Sequence, residues 1–375
     1  MTTAAVPSHL RSGPLAQFTP GPHERIEIRH DARTGLRLIV AVHSTALGPA
    51  LGGLRLRRYE AGVHEALDDV MALSATMTLK AAAAGLDLGG GKAVILDDGR
   101  MPAGSSARAS RLEAAGRVIE EMGGAYVTAE DVGTSTDDME AIALGTRYVV
   151  GRAPSAGGLG DPSPATAQTV FRAIRVALAH ADRGASDPSA TGAVAGRRVG
   201  VIGLGKVGSV LADLLLEAGA RVLAFDVVPD RLIRARARGV EVAASAAAVL
   251  QAPLDVVAPC ALGGLVDEQV AGGLDCRVVC GAANNPLAGA GTAALLAGRG
   301  VLYVPDFLAN CGGLVHVAAE WEGRDGGGLA SALDRAERQL ERALAQAATT
   351  GITPLEAARQ IAGERIDQTR RGHCA

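Results

Sequence analysis

The chain has 375 residues, a net charge of −3 from 37 basic and 40 acidic side chains, and 48% hydrophobic content. That balance excludes a basic surface made for nucleic acid or anionic membrane, and the length is enough for two domains with cores of their own. Five cysteines, Cys260, Cys276, Cys280, Cys311 and Cys374, lie in the C-terminal third without CxxC or CxxxH spacing. They read as free thiols of a reducing cytoplasm, although Cys276 and Cys280 flank one short strand and share a face. The eight histidines have no HxxxH or HExxH spacing, so no metal is proposed.

Residues 1–24 are rich in Pro, Ser and Thr, lack an apolar run of signal-peptide length and read as a loose tail; no later apolar run reaches transmembrane length. Residues 25–44 read as two strands around a turn at 31–35. Gly48, Pro49, Gly52 and Gly53 then punctuate a turn or strand entry with exposed backbone, which reads as a binding loop. Residues 63–84 form an amphipathic helix whose stripe of Ala66, Val70, Leu73 and Met77 leads to Lys80 and puts that lysine on the buried side.

A buried ammonium costs on the order of several kcal/mol unless an anion meets it or its proton is lost. Gly89, Gly90 and Gly91 follow, then Lys92 enters a short apolar strand at 93–96. Three missing side chains let backbone N–H groups approach a ligand, and two lysines converging there suit a small carboxylate. A snorkelling Lys80 and a strand-edge Lys92 explain the same stretch.

A loop leads to a helix at 108–122 and a short strand at Tyr126 and Val127 that runs into TAEDVGTS. Asp131 leaves that strand at the edge where α/β proteins place their chemistry; it reads either as a proton acceptor for an amine or as a turn carboxylate capping the next helix, with Glu130 at the surface. Ser135 and Thr136 can cap that helix, which runs on to Leu144. A glycine and proline cluster from Gly151 marks the exit from the first domain, and Ser163 with Pro164 opens a helix to His180 as N-cap and first-turn pair.

After a polar excursion at 182–196 the pattern alternates strand and helix again, as in a second, parallel α/β domain. Its first strand ends in GLGKVG, with Gly203 for the tight turn, Gly205 for approach of a pyrophosphate and Gly208 for close helix packing; Lys206 and Val207 open the helix. Asp226 ends the next strand, where a carboxylate takes ribose hydroxyls and repels a 2′-phosphate, favouring NAD; Arg231 further on reads as a helix-surface residue that can soften that preference. Asn284 and Asn285 follow a later strand and Asn310 precedes a Gly-Gly turn, placed either to bind a carboxylate or to fix their loops. Helices at 314–322, 328–349 and 354–370 close the chain. The expected architecture is α/β: a substrate-binding and oligomerisation domain at 25–158, a Rossmann-type domain at 159–330, a cleft between them, and C-terminal helices at 331–375 packing back across that cleft.

The motifs HSTALGPALGG, MTLKAAAAGLDLGGGKAVI, TAEDVGT, GLGKVG, APCALGG, CGAANN and PDFLANCGG stand in one order and resemble those of the amino acid dehydrogenases of the glutamate, leucine, phenylalanine and valine group. The resemblance runs from about Arg25 to the C-terminus. It implies that Lys80 binds the substrate carboxylate, that Lys92 is the catalytic lysine activating water against an imine carbon, and that Asp131 moves a proton to and from nitrogen. It implies further that Gly52 and Gly53 present backbone to the substrate, that Asn284 contacts substrate or nicotinamide, and that Thr166 and Ala261 belong to the cofactor site.

The implied reaction is NAD-dependent oxidative deamination of an L-amino acid to the 2-oxo acid, ammonia and NADH, in a homo-oligomer whose domains close over the substrate. Glutamate-acting members carry a lysine at Leu51 and a hydroxyl near Val317, so a second substrate carboxylate would be buried unpaired here. Leu51, Ala129, Leu314 and Val317 are then expected to line an apolar pocket for a branched-chain or other apolar side chain, with an aromatic substrate as the alternative. A regulator that binds NAD without turnover is the rival from another class. Leu79, Gln168 with Thr169, and Cys311 depart from the group's pattern.

Overall fold

The computed structural model describes residues 21–182, 192–324 and 326–373. The expected tail up to residue 20, the polar excursion over 183–191 and Cys374 lie outside the described residues. Two compact units emerge: residues up to Thr78 with Leu88–Arg152, and Leu79–Asp87 with everything from Ala153 onward.

The first unit is a five-stranded mixed sheet of β1 (Arg25–Asp31), β2 (Leu36–Ser44), β3 (Ala50–Arg57), β4 (Gly89–Leu96) and β5 (Tyr126–Glu130) in the order β1-β2-β4-β3-β5. The expected β1–β2 hairpin is present, antiparallel from Arg25 opposite Val42 to Asp31 opposite Leu36, and Gly35 turns it at φ 75°. β2 runs antiparallel to β4, whereas β3 runs parallel to both β4 and β5. Helix α1 (Val63–Ala83) buries Ala66, Leu67 and Val70 against Ile39, Ala41 and Val94, and helices α2 (Ser106–Glu121) and α3 (Thr136–Ala143) pack on each other.

Three local expectations change. The buried line of α1 continues through Ser74 and Thr78, while Leu73 and Met77 are only half-buried; Ser74 meets His23, and Thr78 meets His43 of β2 and the backbone of Gly90 on β4. The triple glycine is a strand rather than a loop: a Cβ would lie 2.0 Å from the Ser44 carbonyl oxygen at Gly89, 2.0 Å from Thr78 N at Gly90, and 2.6 Å from the Tyr126 ring at Gly91. These glycines answer to close packing on every side. Gly52 and Gly53 likewise lie buried within β3, not in an exposed turn.

The second unit is a six-stranded parallel sheet of β6 (Arg198–Ile202), β7 (Arg221–Phe225), β8 (Glu241–Val242), β9 (Val256–Pro259), β10 (Val278–Val279) and β11 (Leu302–Tyr303), ordered β8-β7-β6-β9-β10-β11. That is the 3-2-1-4-5-6 arrangement of dinucleotide-binding folds, with the strand order reversing next to β6. Between the strands run α5 (Lys206–Glu217), α6 (Pro229–Ala237), α7 (Ala246–Leu250), α8 (Glu268–Gly273) and α9 (Thr292–Gly298), with α10 (Asp306–Ala309) after the last; helix α4 (Ser163–Ala181) packs on α5 and on the later helices α11 (Gly312–Trp321) and α12 (Gly326–Thr350). Ser163 is the first residue of α4 rather than its cap: Pro162 occupies the cap, and the Asp161 carboxylate accepts the Ser163 N–H at 2.9 Å. The last helix, α13 (Pro354–His373), packs on α12.

Candidate active site

In the first unit, β3, β4 and the exit of β5 bring three charged side chains together. Lys92 on β4 donates to Asp131 Oδ2 at 2.9 Å, and Arg55 on β3 donates from Nε to the same oxygen at 2.8 Å. The other arm of Arg55 reaches both carboxylate oxygens of Asp69 on α1 at 2.9 and 3.1 Å, and the Tyr59 hydroxyl donates to Asp69 Oδ2 at 2.7 Å. The chain Lys92–Asp131–Arg55–Asp69–Tyr59 is continuous, and the Lys92 side chain is only 6% exposed.

Burial drives the Lys92 ammonium below its ordinary range, with Asp131 opposing and Arg55 reinforcing the change. Burial alone would raise the Asp131 carboxyl, but the Lys92 and Arg55 cations outweigh it and hold Asp131 below the usual carboxylate range. The arrangement can therefore present an amine that loses its proton easily beside a carboxylate that stays charged. Asp131 does not cap α3. Ser135 is the N-cap, as expected, and Asp138 in the first turn completes a capping box, accepting from the N–H and hydroxyl of Ser135 at 2.8 and 3.0 Å while paired with Arg108.

Sequence reading missed Arg55, Asp69 and Tyr59. The usable signal was strand alternation: Leu51, Gly53 and Arg55 share one face of β3, and a Cβ on Gly53 would lie 2.7 Å from Asp131 Cβ. Gly53 thus leaves room for the carboxylate, and Gly52 offers its carbonyl to the Tyr126 hydroxyl at 2.6 Å. On the same unit Leu51 is 1% and Ala129 5% exposed.

The second unit begins with the last turn of α1. Lys80 donates to Asn310 Oδ1 at 2.7 Å and to Asn284 Oδ1 at 3.2 Å, while Asn310 Nδ2 donates to Asn284 Oδ1 at 2.9 Å and to the Ala282 carbonyl at 3.0 Å. These carboxamides orient one another and the ammonium, so Lys80 is buried in a polar nest and does not snorkel. Asn285 serves its loop instead, at φ 48°, with its N–H donated to Asp306 at 2.7 Å. Leu314 and Val317 lie buried on α11, whose N-cap is the buried Cys311; burial pushes that thiol up to about 11.

At the glycine turn Gly203 has φ 102°, a Cβ on Gly208 would lie 1.9 Å from the Gly203 carbonyl oxygen, and Gly205 faces open space. Turn, close helix approach and a bare backbone before α5 therefore fit a pyrophosphate. A cavity of about 270 Å³ adjoins the turn, lined in part by Gly205, Lys206, Ser209, Arg231 and Arg234. Asp226 accepts the Leu204 N–H at 2.6 Å and the Val228 N–H at 2.8 Å; with Arg231 these bonds overcome the effect of burial and keep the carboxylate charged. Arg231 is thus not a plain surface residue but an ion-pair partner of Asp226 at 3.2 Å. Ala261 sits against Gly203, and Thr166 donates its hydroxyl to the Pro162 carbonyl at 3.1 Å. The departure at Thr169 is absorbed by packing: its hydroxyl accepts the Gly312 N–H at 3.1 Å.

A Rossmann-type sheet with a glycine turn, together with a separate α/β unit carrying a buried lysine–aspartate pair, defines a dehydrogenase that uses a nicotinamide dinucleotide, NAD or NADP. Residues 23–148 match the dimerisation domain of the Glu/Leu/Phe/Val dehydrogenases, and residues 229–370 match the Glutamate/Leucine/Phenylalanine/Valine dehydrogenase domain. The chain is 42% identical over 360 residues to a valine dehydrogenase of Streptomyces virginiae, covering 93% of this chain and 95% of that one. It is 36% identical over 349 residues to a leucine dehydrogenase of Geobacillus stearothermophilus, at 93% and 92% coverage. The crystal structure of L-tryptophan dehydrogenase from Nostoc punctiforme superposes with a TM-score of 0.78 at 32% identity, covering 93% of this chain and 97% of that one. The chain belongs to the Glu/Leu/Phe/Val dehydrogenase family and is an amino acid dehydrogenase, an oxidoreductase acting on a CH–NH₂ group. Among the described residues no helix is long and apolar enough to cross a membrane.

Proposed function

We propose that this protein catalyses the reversible, NAD-dependent oxidative deamination of a branched-chain or similar apolar L-amino acid, with valine and leucine as the first candidates. The observation that carries the reading is the buried Lys92–Asp131 pair, in which one member gives up a proton easily and the other remains a carboxylate. Valine- and leucine-acting relatives and the apolar side chains at Leu51, Ala129, Leu314 and Val317 support the choice of substrate class.

Lys80, oriented by the carboxamides of Asn284 and Asn310, holds the substrate carboxylate. Asp131 accepts a proton from the substrate nitrogen through Oδ1, since Oδ2 is occupied by Lys92 and Arg55. Neutral Lys92 removes a proton from water as that water adds to the imine carbon and passes it to nitrogen; the remaining hydroxyl proton then follows by the same lysine to nitrogen as the carbonyl forms and the C–N bond breaks, releasing ammonia. Gly52 and Gly53 contribute backbone on the substrate side. Gly203, Gly205, Gly208 and the start of α5 at Lys206 and Val207 hold the dinucleotide, with Thr166, Ala261 and Asn284 toward its nicotinamide end. When bound, the dinucleotide supplies the electron-accepting ring. Asp226 disfavours a 2′-phosphate and selects NAD. A homo-oligomer assembled through the first unit, in the cytoplasm, fits the match to a dimerisation domain and the unpaired Cys260, Cys276, Cys280 and Cys311.

NADH formation followed with a panel of L-amino acids at alkaline pH tests the reading. Turnover is expected with valine, leucine or isoleucine, rising with pH through a Lys92 pKa below the ordinary value of about 10.4. Lys92→Ala is expected to lower kcat by about 10²–10⁴-fold. Intact NAD binding with no turnover of any apolar amino acid would leave the regulator reading and overturn this one.

A further inference from the structure

We infer that Arg55 is a positioning residue that sets both the geometry and the protonation of the Lys92–Asp131 pair, with Asp69 and Tyr59 as its anchor. The inference deepens the dehydrogenase reading and rests on it for the meaning of activity, but the electrostatic core can be tested without turnover.

The geometry carries the argument. Arg55 uses one planar guanidinium to join two carboxylates, with Nε on Asp131 at 2.8 Å and a terminal nitrogen on Asp69 at 2.9 Å. A fork with donors on two sides suits that bridge in a way a lysine ammonium does not. Its side chain is 16% exposed, and both carboxylates it grips are 21% exposed, so the attachment is shielded from solvent. Because Lys92 and Arg55 meet on the same oxygen of Asp131, Arg55 decides how that carboxylate is rotated. Asp69 is held in turn by the Tyr59 hydroxyl, so the anchor reaches from β3 through α1 to a residue two positions beyond β3.

The same contacts order the charges. Within the first unit the charged groups facing Lys92 are Asp131, Arg55 and Asp69, and Tyr59 stands behind Asp69. Arg55 is a fixed cation near an ammonium that must lose its proton, and at the same time a fixed partner for a carboxylate that must be charged when it meets the proton of the substrate nitrogen. Removing the guanidinium should make the Lys92 ammonium easier to retain. Removing the Asp69 charge should make it harder to retain. A purely structural bridge would not produce shifts of opposite sign.

Arg55→Ala, Arg55→Lys and Asp69→Asn are compared by the pH profile of kcat/KM for deamination and by the pH dependence of Lys92 acylation with acetic anhydride, read by mass spectrometry. The acid limb and the acylation midpoint are expected to move up by about one pH unit in Arg55→Ala and down in Asp69→Asn. Arg55→Lys should restore the midpoint toward wild type while kcat stays reduced, because the charge returns without the fork. If Arg55→Ala does not fold, Arg55→Gln takes its place, and a midpoint raised in Arg55→Gln, near wild type in Arg55→Lys and lowered in Asp69→Asn decides the matter. Midpoints that stay within about 0.2 unit of wild type, or that move in one direction in both Arg55→Ala and Asp69→Asn, overturn the proposal. A wild-type enzyme without turnover whose acylation midpoints shift as stated would sink the dehydrogenase reading and leave the role of Arg55 intact.

Discussion

Lys80 stands one turn short of the end of α1, where the partial negative charge of the last carbonyls favours a cation. Two carboxamide oxygens accept hydrogen bonds from its ammonium and fix the direction in which it would meet the carboxylate of the proposed substrate. Lys80→Met should therefore raise KM for the amino acid about 10–100-fold, corresponding to the roughly 1.5–3 kcal/mol of a hydrogen bond to a charged group, with a smaller effect on kcat. Separate determination of KM and kcat checks this; a loss confined to kcat would remove Lys80 from carboxylate binding. The burial of this lysine was legible from helical spacing alone. Its partners were not, because Asn284 and Asn310 follow it by 204 and 230 residues and neither periodicity nor composition pairs positions so far apart.

The β3–β4 seam with α1 laid across it places Lys92 and Arg55 on neighbouring strands, and it closes only because several positions lack a side chain. Gly91 borders the Tyr126 ring, Gly52 faces the Gly91 carbonyl, and Gly90 lies against the backbone of Thr78 on α1. In a Gly90→Ala variant the added carbon would sit 2.0 Å from Thr78 N, so helix and strand must separate. The expected cost is about 1–3 kcal/mol, seen as a lower urea midpoint with an unchanged slope. A midpoint equal to that of wild type would show that helix and strand yield at this contact without cost. The glycine run was visible as a signal, but whether glycine admits a ligand or a neighbouring backbone depends on what packs over it.

At the scale of the whole molecule, the C-terminal helix buttresses the end of α1. Helix α1 ends with the Gly85 N–H on the Ala82 carbonyl and the Leu86 N–H on the Ala81 carbonyl, Gly85 being at φ 76°. Arg365 on α13 donates to the carbonyls of Ala82 and Leu86 at 3.2 and 2.6 Å and pairs with Asp87 at 2.6 Å. The final arginine-bearing helix thereby holds the turn that carries Lys80. Arg365→Ala is expected to cost about 1–2 kcal/mol of stability and to raise KM a few-fold with little change in kcat. Thermal melts and steady-state kinetics read both effects, and an unchanged KM would detach α13 from the substrate site.

By itself the sequence determined what local rules can determine: the β1–β2 hairpin, the alternation of strand and helix, the GLGKVG turn with Asp226 after the next strand, and the residue types at Lys80, Lys92 and Asp131. Periodicity and turn chemistry act over a few residues, so these features are written in contiguous stretches. Tertiary structure alone decided that Arg55 shares an oxygen of Asp131 with Lys92, that Asn310 orients Lys80, that Arg231 covers Asp226, and that Arg365 finishes α1. Sheet order, strand register and the docking of distant helices make those meetings, and they follow from the packing of the whole chain rather than from any one segment of it.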